Sequence, residues 1–298
     1  MPTTSPRVTI GVPVYNGERY LRICLDSLVS QTFSDIRIIV CDNASTDRTG
    51  DIARQYAERD ARVQYHRNPV NIGCPRNFTR VVELCTTPFF RWASVDDLSA
   101  PTFVERCMEV LEARPDVVQA YPRTLTIDGD GRVTGEQVDD IRTDAARPSD
   151  RYLAVTRRLG RCNAIYGVIR TEVLRRTAVL GTYIGSDITF QAELALYGAI
   201  AEVPEALFFR RMHAQAQSAM SDEERARHYD PSLAPKRARK TSSLWRHLWE
   251  RTRSVVRAPI APSEKIRILE FLARDAVKSR DGLAAEAAGN ARRVLRWA

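Results

Sequence analysis

The sequence predicts an α/β chain built on a doubly wound, mainly parallel, Rossmann-like sheet with a helical C-terminal extension. Three observations lead there. Strand and helix patterns alternate four times within about 95 residues, as successive βαβ units do. The loops after the strand patterns are rich in Asn, Asp, Gly and Pro, and the carboxyl-end loops of a parallel sheet converge on one crevice. The charge also changes near residue 220. Residues 1–220 hold 27 Lys and Arg against 27 Asp and Glu, whereas 221–298 hold 18 against 10, so the net +8 lies in the last quarter. That asymmetry divides the chain into a domain over 1–220, with halves at about 1–100 and 101–220, and a basic helical extension over 221–298.

Residues 7–13 read as a strand. Over 18–31, Tyr20, Cys24 and Leu28 recur at i, i+4 and i+8, with Leu21, Leu25 and Val29 beside them, which is the apolar face of an amphipathic helix. Residues 36–41 are almost continuously apolar, as in a strand covered on both faces. Residues 49–59 are helical, with Ile52, Ala53 and Tyr56 on one side. A strand over 63–66, a helix over 76–85 and a strand over 89–93 follow, the last running out into the adjacent carboxylates Asp96 and Asp97. Proline opens a helix over 101–114, and 117–121 is a strand. Asp128-Gly129-Asp130-Gly131 signals a hairpin within 124–135 and not a calcium loop, because the later spaced ligands are absent. Residues 138–150 are polar and irregular. A strand over 160–170 leads to a helix near Glu172, a loop and helix span 185–198, and a last strand over 203–213 ends in Arg211 and His213. Beyond Ser218 come the basic run Lys236, Arg237, Arg239 and Lys240, the pair Trp245 and Trp249 at i, i+4 among arginines, a helix over 263–278 and an Ala-rich closing helix.

Composition is that of a globular protein. No run approaches the roughly 18 apolar residues of a membrane span, and residues 1–6 lack the apolar core of a signal peptide. The expected location is cytoplasmic, with peripheral contact at the inner face of a membrane if the basic extension binds lipid. Cysteines 24, 41, 74, 85, 107 and 162 show no CxxC or CxxH spacing. They read as free thiols of a reducing compartment. Neither GxGxxG nor GxxxxGK[ST] occurs, which argues against a dinucleotide dehydrogenase or a P-loop enzyme. An Asp-Asp pair at a strand's carboxyl end suits Mg²⁺ or Mn²⁺ carrying a diphosphate; taken alone, it also reads as a turn or helix cap.

Val12-Pro13-Val14-Tyr15-Asn16, Leu21, Leu25, Leu28, Gln31-Thr32, Val40-Cys41-Asp42-Asn43, Ser45-Thr46-Asp47, Asn71, Gly73 and Val95-Asp96-Asp97, in this order and spacing, resemble the family 2 glycosyltransferases of GT-A fold over roughly residues 7–215. The resemblance implies that Pro13, Tyr15 and Asn16 line a nucleotide pocket and that Asp42 hydrogen-bonds the base with Asn43 beside it. It places Asn71, Gly73 and Arg76 at the nucleotide and sugar, Asp97 on the metal, and Asp96 toward the donor. It makes Asp187, at the first turn of its helix, the general base, and brings His213 to the metal or diphosphate with Arg211 as a phosphate partner. Asp47 reads as ordinary turn and N-cap chemistry ahead of the helix at Thr49, and a plain cap at Ser186 or Asp187 is the alternative to the base role. Val95 departs from the Asp that usually opens the metal motif. The QxxRW pattern of processive synthases does not occur.

The expectation is therefore an inverting, hexosyl-type transferase that moves one sugar from a nucleotide-diphosphate sugar, a UDP-sugar, to an acceptor hydroxyl with Mn²⁺ or Mg²⁺. The acceptor is a glycan, a lipid-linked molecule or a small molecule, in cell-surface glycan, glycolipid or glycoconjugate synthesis. Two alternatives stand beside it: a nucleotidyltransferase acting on sugar phosphates, and a nucleotide-sugar-binding scaffold that has lost catalysis. For the extension, packing on the catalytic domain or a homodimer stands against an interfacial helix on anionic lipid. Nucleic acid is not expected, because no binding motif accompanies the charge.

Overall fold

The structure is a computed structural model, and it describes residues 5–158, 162–213, 220–232 and 244–294. The first third alternates as the patterning predicts: β1 (Val8–Val14), α1 (Glu18–Val29), β2 (Ile36–Asp42), α2 (Thr49–Arg59), β3 (Val63–Arg67), α3 (Cys74–Glu83) and β4 (Phe89–Trp92). There follow β5 (Leu98–Ser99), α4 (Phe103–Ala113), β6 (Val117–Ile127), β7 (Val133–Gln137), α5 (Pro148–Arg158), a 3₁₀ turn (Asn163–Tyr166), β8 (Val168–Arg170) and α6 (Thr171–Leu174). The remainder is α7 (Ser186–Leu194), β9 (Ala199–Arg211), α8 (Asp222–Tyr229), α9 (Leu244–Arg257), α10 (Pro262–Lys278) and α11 (Arg280–Val294).

One sheet runs β3-β2-β1-β4-β8-β6-β9-β5, with β7 hairpinned onto β6. β3, β2, β1 and β4 are parallel neighbours. β8 enters antiparallel to both β4 and β6, β9 runs parallel to β6, and β5 lies antiparallel to β9. The sheet is thus parallel in its first half and mixed in its second. Apolar residues cover both faces. Val8, Ile10 and Val12 of β1 join Leu21, Leu25 and Leu28 of α1 in one cluster, while Phe90 and Trp92 of β4 join Val81 of α3 and Phe190 of α7 in another. Trp92 meets Phe90 and Phe190 edge-on at 5.0 and 5.6 Å, within the range where aromatic pairs attract beyond their buried area.

Several local expectations change. The strand expected to stop at 121 continues to Ile127, because Pro122 sits at a register shift between Pro122 and Arg123, where a sheet tolerates proline. The strand expected over 160–170 is only Val168–Arg170 among the described residues, and 160–161 lie outside them. Cys162 adopts φ 58° and opens the 3₁₀ turn. The backbone of Ala164 is satisfied by side chains instead of a strand ladder: its N–H donates to Asp139 at 3.0 Å and its carbonyl accepts from Gln119 at 2.6 Å. The polar segment expected up to 150 already turns helical at Pro148, and α8 was not anticipated. Ser221 and Glu224 close a reciprocal capping box at its start, worth about 1 kcal/mol as caps go. The basic run Lys236, Arg237, Arg239 and Lys240 lies outside the described residues.

The C-terminal helices pack on the sheet domain. Val255, Ala258, Ile268 and Leu272 share a buried cluster with Tyr152 and Val155 of α5 and Ala192 of α7. Arg257 of α9 reaches Glu193 of α7 at 2.5 Å, and the Glu193 side chain is 1% exposed. Glu264 of α10 accepts from Arg147 at 2.9 Å and from the Ser149 amide at 3.0 Å, at the start of α5. Two left-handed glycines admit the closest approaches. A Cβ on Gly73 (φ 87°) would fall 2.3 Å from the Tyr229 carbonyl of α8, and one on Gly185 (φ 82°) would fall 2.7 Å from the His247 ring of α9. At both positions glycine supplies the backbone angle and the space.

A buried carboxylate that loses its partner costs more than the pair is worth. Arg257→Ala should therefore destabilise the protein by about 3 kcal/mol, and Arg257→Ala with Glu193→Gln by clearly less. Denaturant melts of the three proteins check this. Equal loss in the single and double variants, or no loss in either, would show that α9 is not held through this pair.

Candidate active site

The loops after β1 to β4 open on a cavity of about 1060 Å³, which is large enough for a nucleotide-sized ligand. The first two loops are stitched together. The Asn16 amide donates to Ser45 Oγ at 2.9 Å, and Asn16 Oδ1 accepts the Thr46 amide at 2.8 Å. The Gly17 amide donates to Thr49 Oγ1 at 2.8 Å, and Asp47 accepts the amides of Glu18 and Thr49 at 3.1 and 3.0 Å. Asn16 itself sits at φ 51°, a conformation that asparagine tolerates better than most residues. Asp47 makes the turn ahead of α2 that the sequence suggested, though the N-cap itself is Arg48, and it also lines the cavity.

An asparagine relay holds the next two loops. Asn43 Nδ2 donates to Asn71 at 2.8 Å, and Asn43 Oδ1 accepts from Asn68 at 3.1 Å and from the Ile72 amide at 2.9 Å. Asn68 also donates to Asn77 at 2.9 Å, and Asn77 donates to the Cys41 carbonyl at 2.8 Å. Buried polar groups satisfied in this way fix loop positions without a desolvation penalty. Pro13, Tyr15, Asn16, Asn43 and Asn71 all line the cavity, and Tyr15 keeps 42% of its surface exposed at the wall.

Asp42, Gly73, Arg76 and Asp187 are not among the lining residues. Asp42 is fully buried. One carboxylate oxygen takes the Ser45 amide at 2.8 Å; the other takes Tyr65 Oη at 2.8 Å and Arg67 at 2.7 Å. Gly73 is roofed by Tyr229, and Arg76 is exposed.

Asp96, Asp97 and His213 all line the cavity. Asp97 is 7% exposed, and its Oδ1 accepts the Arg211 amide at 2.8 Å. Burial, with Asp96 next to it, pushes the Asp97 carboxyl up to about 7 against the Arg211 amide and the Arg210 charge. Burial also raises Asp96, opposed chiefly by His213. His213 Nε2 stands 3.5 Å from Asp96 Oδ2, an ion-pair distance, and neither ring nitrogen has a hydrogen-bond partner among the described residues. Buried imidazole nitrogens without a hydrogen-bond partner, beside the Asp96 carboxylate, suit a hard or borderline divalent cation. No group of three or more His, Cys, Asp or Glu forms a ready-made metal cage among the described residues, and Mg²⁺-type sites commonly take only one or two carboxylates and complete their shell with waters and phosphate. Val95 lines the cavity and packs against the apolar cluster around β1.

The two arginines at the end of β9 have different tasks. Arg211 is buried; its Nε donates to the Asp96 carbonyl at 2.9 Å and its Nη1 to the carbonyls of Asp128 and Gly129 at 2.9 and 3.1 Å. Its guanidinium lies over the Tyr20 ring at 4.7 Å. Arg210 lines the cavity, donates to Asn163 Oδ1 of the 3₁₀ turn, and lowers the carboxyls of Asp97, Asp139 and Asp187. Asp187 does not line the cavity, but its charge helps raise the Cys74 thiol and the Tyr166 phenol, which do. Burial raises its carboxyl above the ordinary range, opposed by the Ile188 amide at 3.0 Å.

Sequence reasoning missed Arg210, Tyr166 and the contribution of α8. Met220, Glu224, Arg227, His228 and Pro231 complete the cavity wall from beyond residue 215. The Ser221-to-Glu224 spacing was the available signal for that helix. For Arg210, strand alternation turns it away from Arg211 and so gave no signal, yet both line the cavity.

The family model for glycosyl transferase family 2 matches residues 9–168. The putative glycosyltransferase EpsH of Bacillus subtilis is 34% identical over 115 residues, covering 38% of this chain and 33% of that protein. An uncharacterised glycosyltransferase of Haemophilus influenzae is 25% identical over 229 residues, covering 74% and 69%. The match to EpsH thus spans about a third of that relative's length. Among solved structures, S. aureus TarS 1-349 superposes with TM-score 0.62 at 15% identity, over 92% of this chain and 73% of that one, and it has also been solved with UDP and with UDP-GlcNAc. The mannosyltransferase PcManGT of Pyrobaculum calidifontis, solved with GDP-Man and Mn²⁺, superposes with TM-score 0.55 at 18% identity, over 99% and 82%. The chain belongs to glycosyl transferase family 2 and carries the GT-A fold.

Proposed function

We propose that this chain transfers one hexose from a UDP-sugar to an acceptor hydroxyl with inversion, assisted by Mn²⁺ or Mg²⁺. The observation that carries this reading is the pair of half-buried Asp96 and buried Asp97 at the cavity, with His213 3.5 Å from Asp96 and its ring nitrogens without a hydrogen-bond partner among the described residues. The nucleotide sugars bound by TarS and PcManGT and the Mn²⁺ in the latter support it. Family membership sets the nucleotidyltransferase alternative aside. The catalytic part is residues 1–220, with the donor half about 1–100 and the acceptor half 101–220, and the extension over 221–298 lends α8 to the wall.

In this reading Pro13, Tyr15, Asn16 and Asn43 hold the nucleoside, with the exposed Tyr15 ring against the base. Asp42 acts from behind the wall by fixing the second loop, Asn71 borders the nucleotide and sugar, and Gly73 lets Tyr229 of α8 close over the third loop. Asp97, with Asp96 and His213, would hold the divalent cation, which when bound supplies positive charge to the diphosphate. Arg210 adds a fixed cation toward the leaving diphosphate. It takes this place instead of Arg211, whose donors already serve three carbonyls. Asp187 takes the acceptor's proton as the hydroxyl oxygen attacks the anomeric carbon and the bond to the diphosphate oxygen breaks on the opposite side. Its raised carboxyl makes it a better base than an ordinary aspartate, and Cys74 and Tyr166 form the wall past which the acceptor enters.

For Asp187 the folded-state pKa is raised, so folding favours the neutral acid. The stabilising term is present at low pH and is lost as pH rises through the raised value. Asp187→Asn should melt at a higher temperature than wild type at neutral pH, and the difference should shrink toward pH 4. Its turnover should fall by roughly 10² to 10⁴ with UDP affinity unchanged; if UDP binding collapses as well, Asp187 belongs to the donor site.

The floor of the site is tested by substitution and by chelation. Asp97→Asn and added EDTA should each abolish transfer from UDP-sugars while cooperative melting persists, and Arg210→Met should lower turnover by about 10² to 10³. A fully active Asp97→Asn protein would sink the metal assignment, and an Arg211→Met protein that melts normally but loses only turnover would reverse the two arginines.

A further inference from the structure

The tryptophans of α9 serve neither the cavity nor the core. α9 turns Leu248, Val255 and, just past its end, Ala258 into the third apolar cluster. On its outer side Trp245, Trp249 and Val256 stay 48%, 63% and 59% exposed. Positions 245, 249, 253 and 256 fall at i, i+4, i+8 and i+11, a single stripe along a helix, and Arg253 within it is exposed. Lys265 of α10 donates to the Val256 carbonyl at 2.7 Å, which puts a cation at that end of the stripe. Arg246 and Arg257 flank it but are paired with Glu250 and Glu193. The helix is thus apolar on two sides; the fold buries one, and on the other it ties down Trp245 through the Leu283 carbonyl.

We propose that this stripe seats the protein on an anionic lipid surface. The ring of Trp249 and the Val256 side chain enter the headgroup layer, with the exposed part of Trp245 beside them, where an aromatic body can be buried while its polar edge stays wet. Arg253 and Lys265 meet the lipid phosphates, and the net positive charge of residues 221–298 draws the protein to that surface. Aliphatic groups continuing the stripe, with cations among and beside them, fit a bilayer better than a stacked nucleic-acid strand, which needs a cationic track along the aromatics.

The test uses the full chain with vesicles of phosphatidylcholine alone or with added phosphatidylglycerol. Co-sedimentation should appear with the anionic vesicles at low salt, weaken in high salt, and bring a blue shift in tryptophan emission. Trp249→Ala with Arg253→Gln should weaken binding about tenfold or more, with melting temperature and donor hydrolysis in solution unchanged. Trp245 is left in place because its indole N–H donates to the Leu283 carbonyl at 3.0 Å and its loss would loosen α11. No sedimentation at low salt, equal sedimentation with neutral vesicles, or equal binding by the variant would each overturn the proposal. So would a solution dimer that dissociates in Trp249→Ala, which would assign the stripe to a second copy, or displacement from vesicles only by oligonucleotide.

Discussion

The hydrogen bond from the Arg211 amide to Asp97 Oδ1, at 2.8 Å, joins the two halves of the sheet at the site. Asp97 lies on the loop after β4, in the parallel half, and Arg211 ends β9, in the mixed half. The Arg211 side chain reinforces the joint from the Asp96 carbonyl and from the hairpin turn between β6 and β7, and stacks on Tyr20 of α1. A shift of β9 would move the acid pair, His213 and Arg210 together. A site that must hold opposite charges in register within a few tenths of an ångström needs supports of this kind.

Around that joint the loops are ordered before any ligand arrives. The Asn16, Ser45 and Asp47 bonds close the first two loops on each other, and the Asn43, Asn68, Asn71 and Asn77 relay holds the next. Less entropy is then lost on binding. The electrostatics remain unbalanced. Asp96, Asp97, Asp139 and Asp187 all have carboxyls raised by burial, and Arg210 is the cation common to three of them. Buried acids in excess of buried cations favour an added divalent charge and penalise a bare diphosphate, so cation and nucleotide are expected to bind as a unit.

Much of the first half was legible because parallel strands leave a plain signature. The continuous apolar run at 36–41 and the polar loops that follow the strands are enough to put Asp42, Asn43 and Asp97 at the carboxyl end of the sheet. Depth was not legible. Asp42 is one residue past the buried run, as a ligand contact would be, yet its carboxylate is enclosed by Ser45, Tyr65 and Arg67. The second half was harder because tertiary partners overrule local pattern. Pro122 is absorbed by a register shift, and the apolar run near 165 becomes a 3₁₀ turn because Asp139 and Gln119 satisfy its backbone. The exposed stripe of α9 looked the same in sequence as a packing face, since 3.6-residue periodicity marks apolar sides without saying what covers them.

The central claim is that the acid pair and its histidine take a divalent cation together with the nucleotide diphosphate. Calorimetric titration of UDP into the protein, with Mn²⁺ present and with EDTA, tests it most directly. The account predicts that Mn²⁺ tightens UDP binding by about tenfold or more and that UDP tightens Mn²⁺ binding by the same factor, as linkage requires. UDP affinity that is identical in Mn²⁺ and EDTA would contradict it.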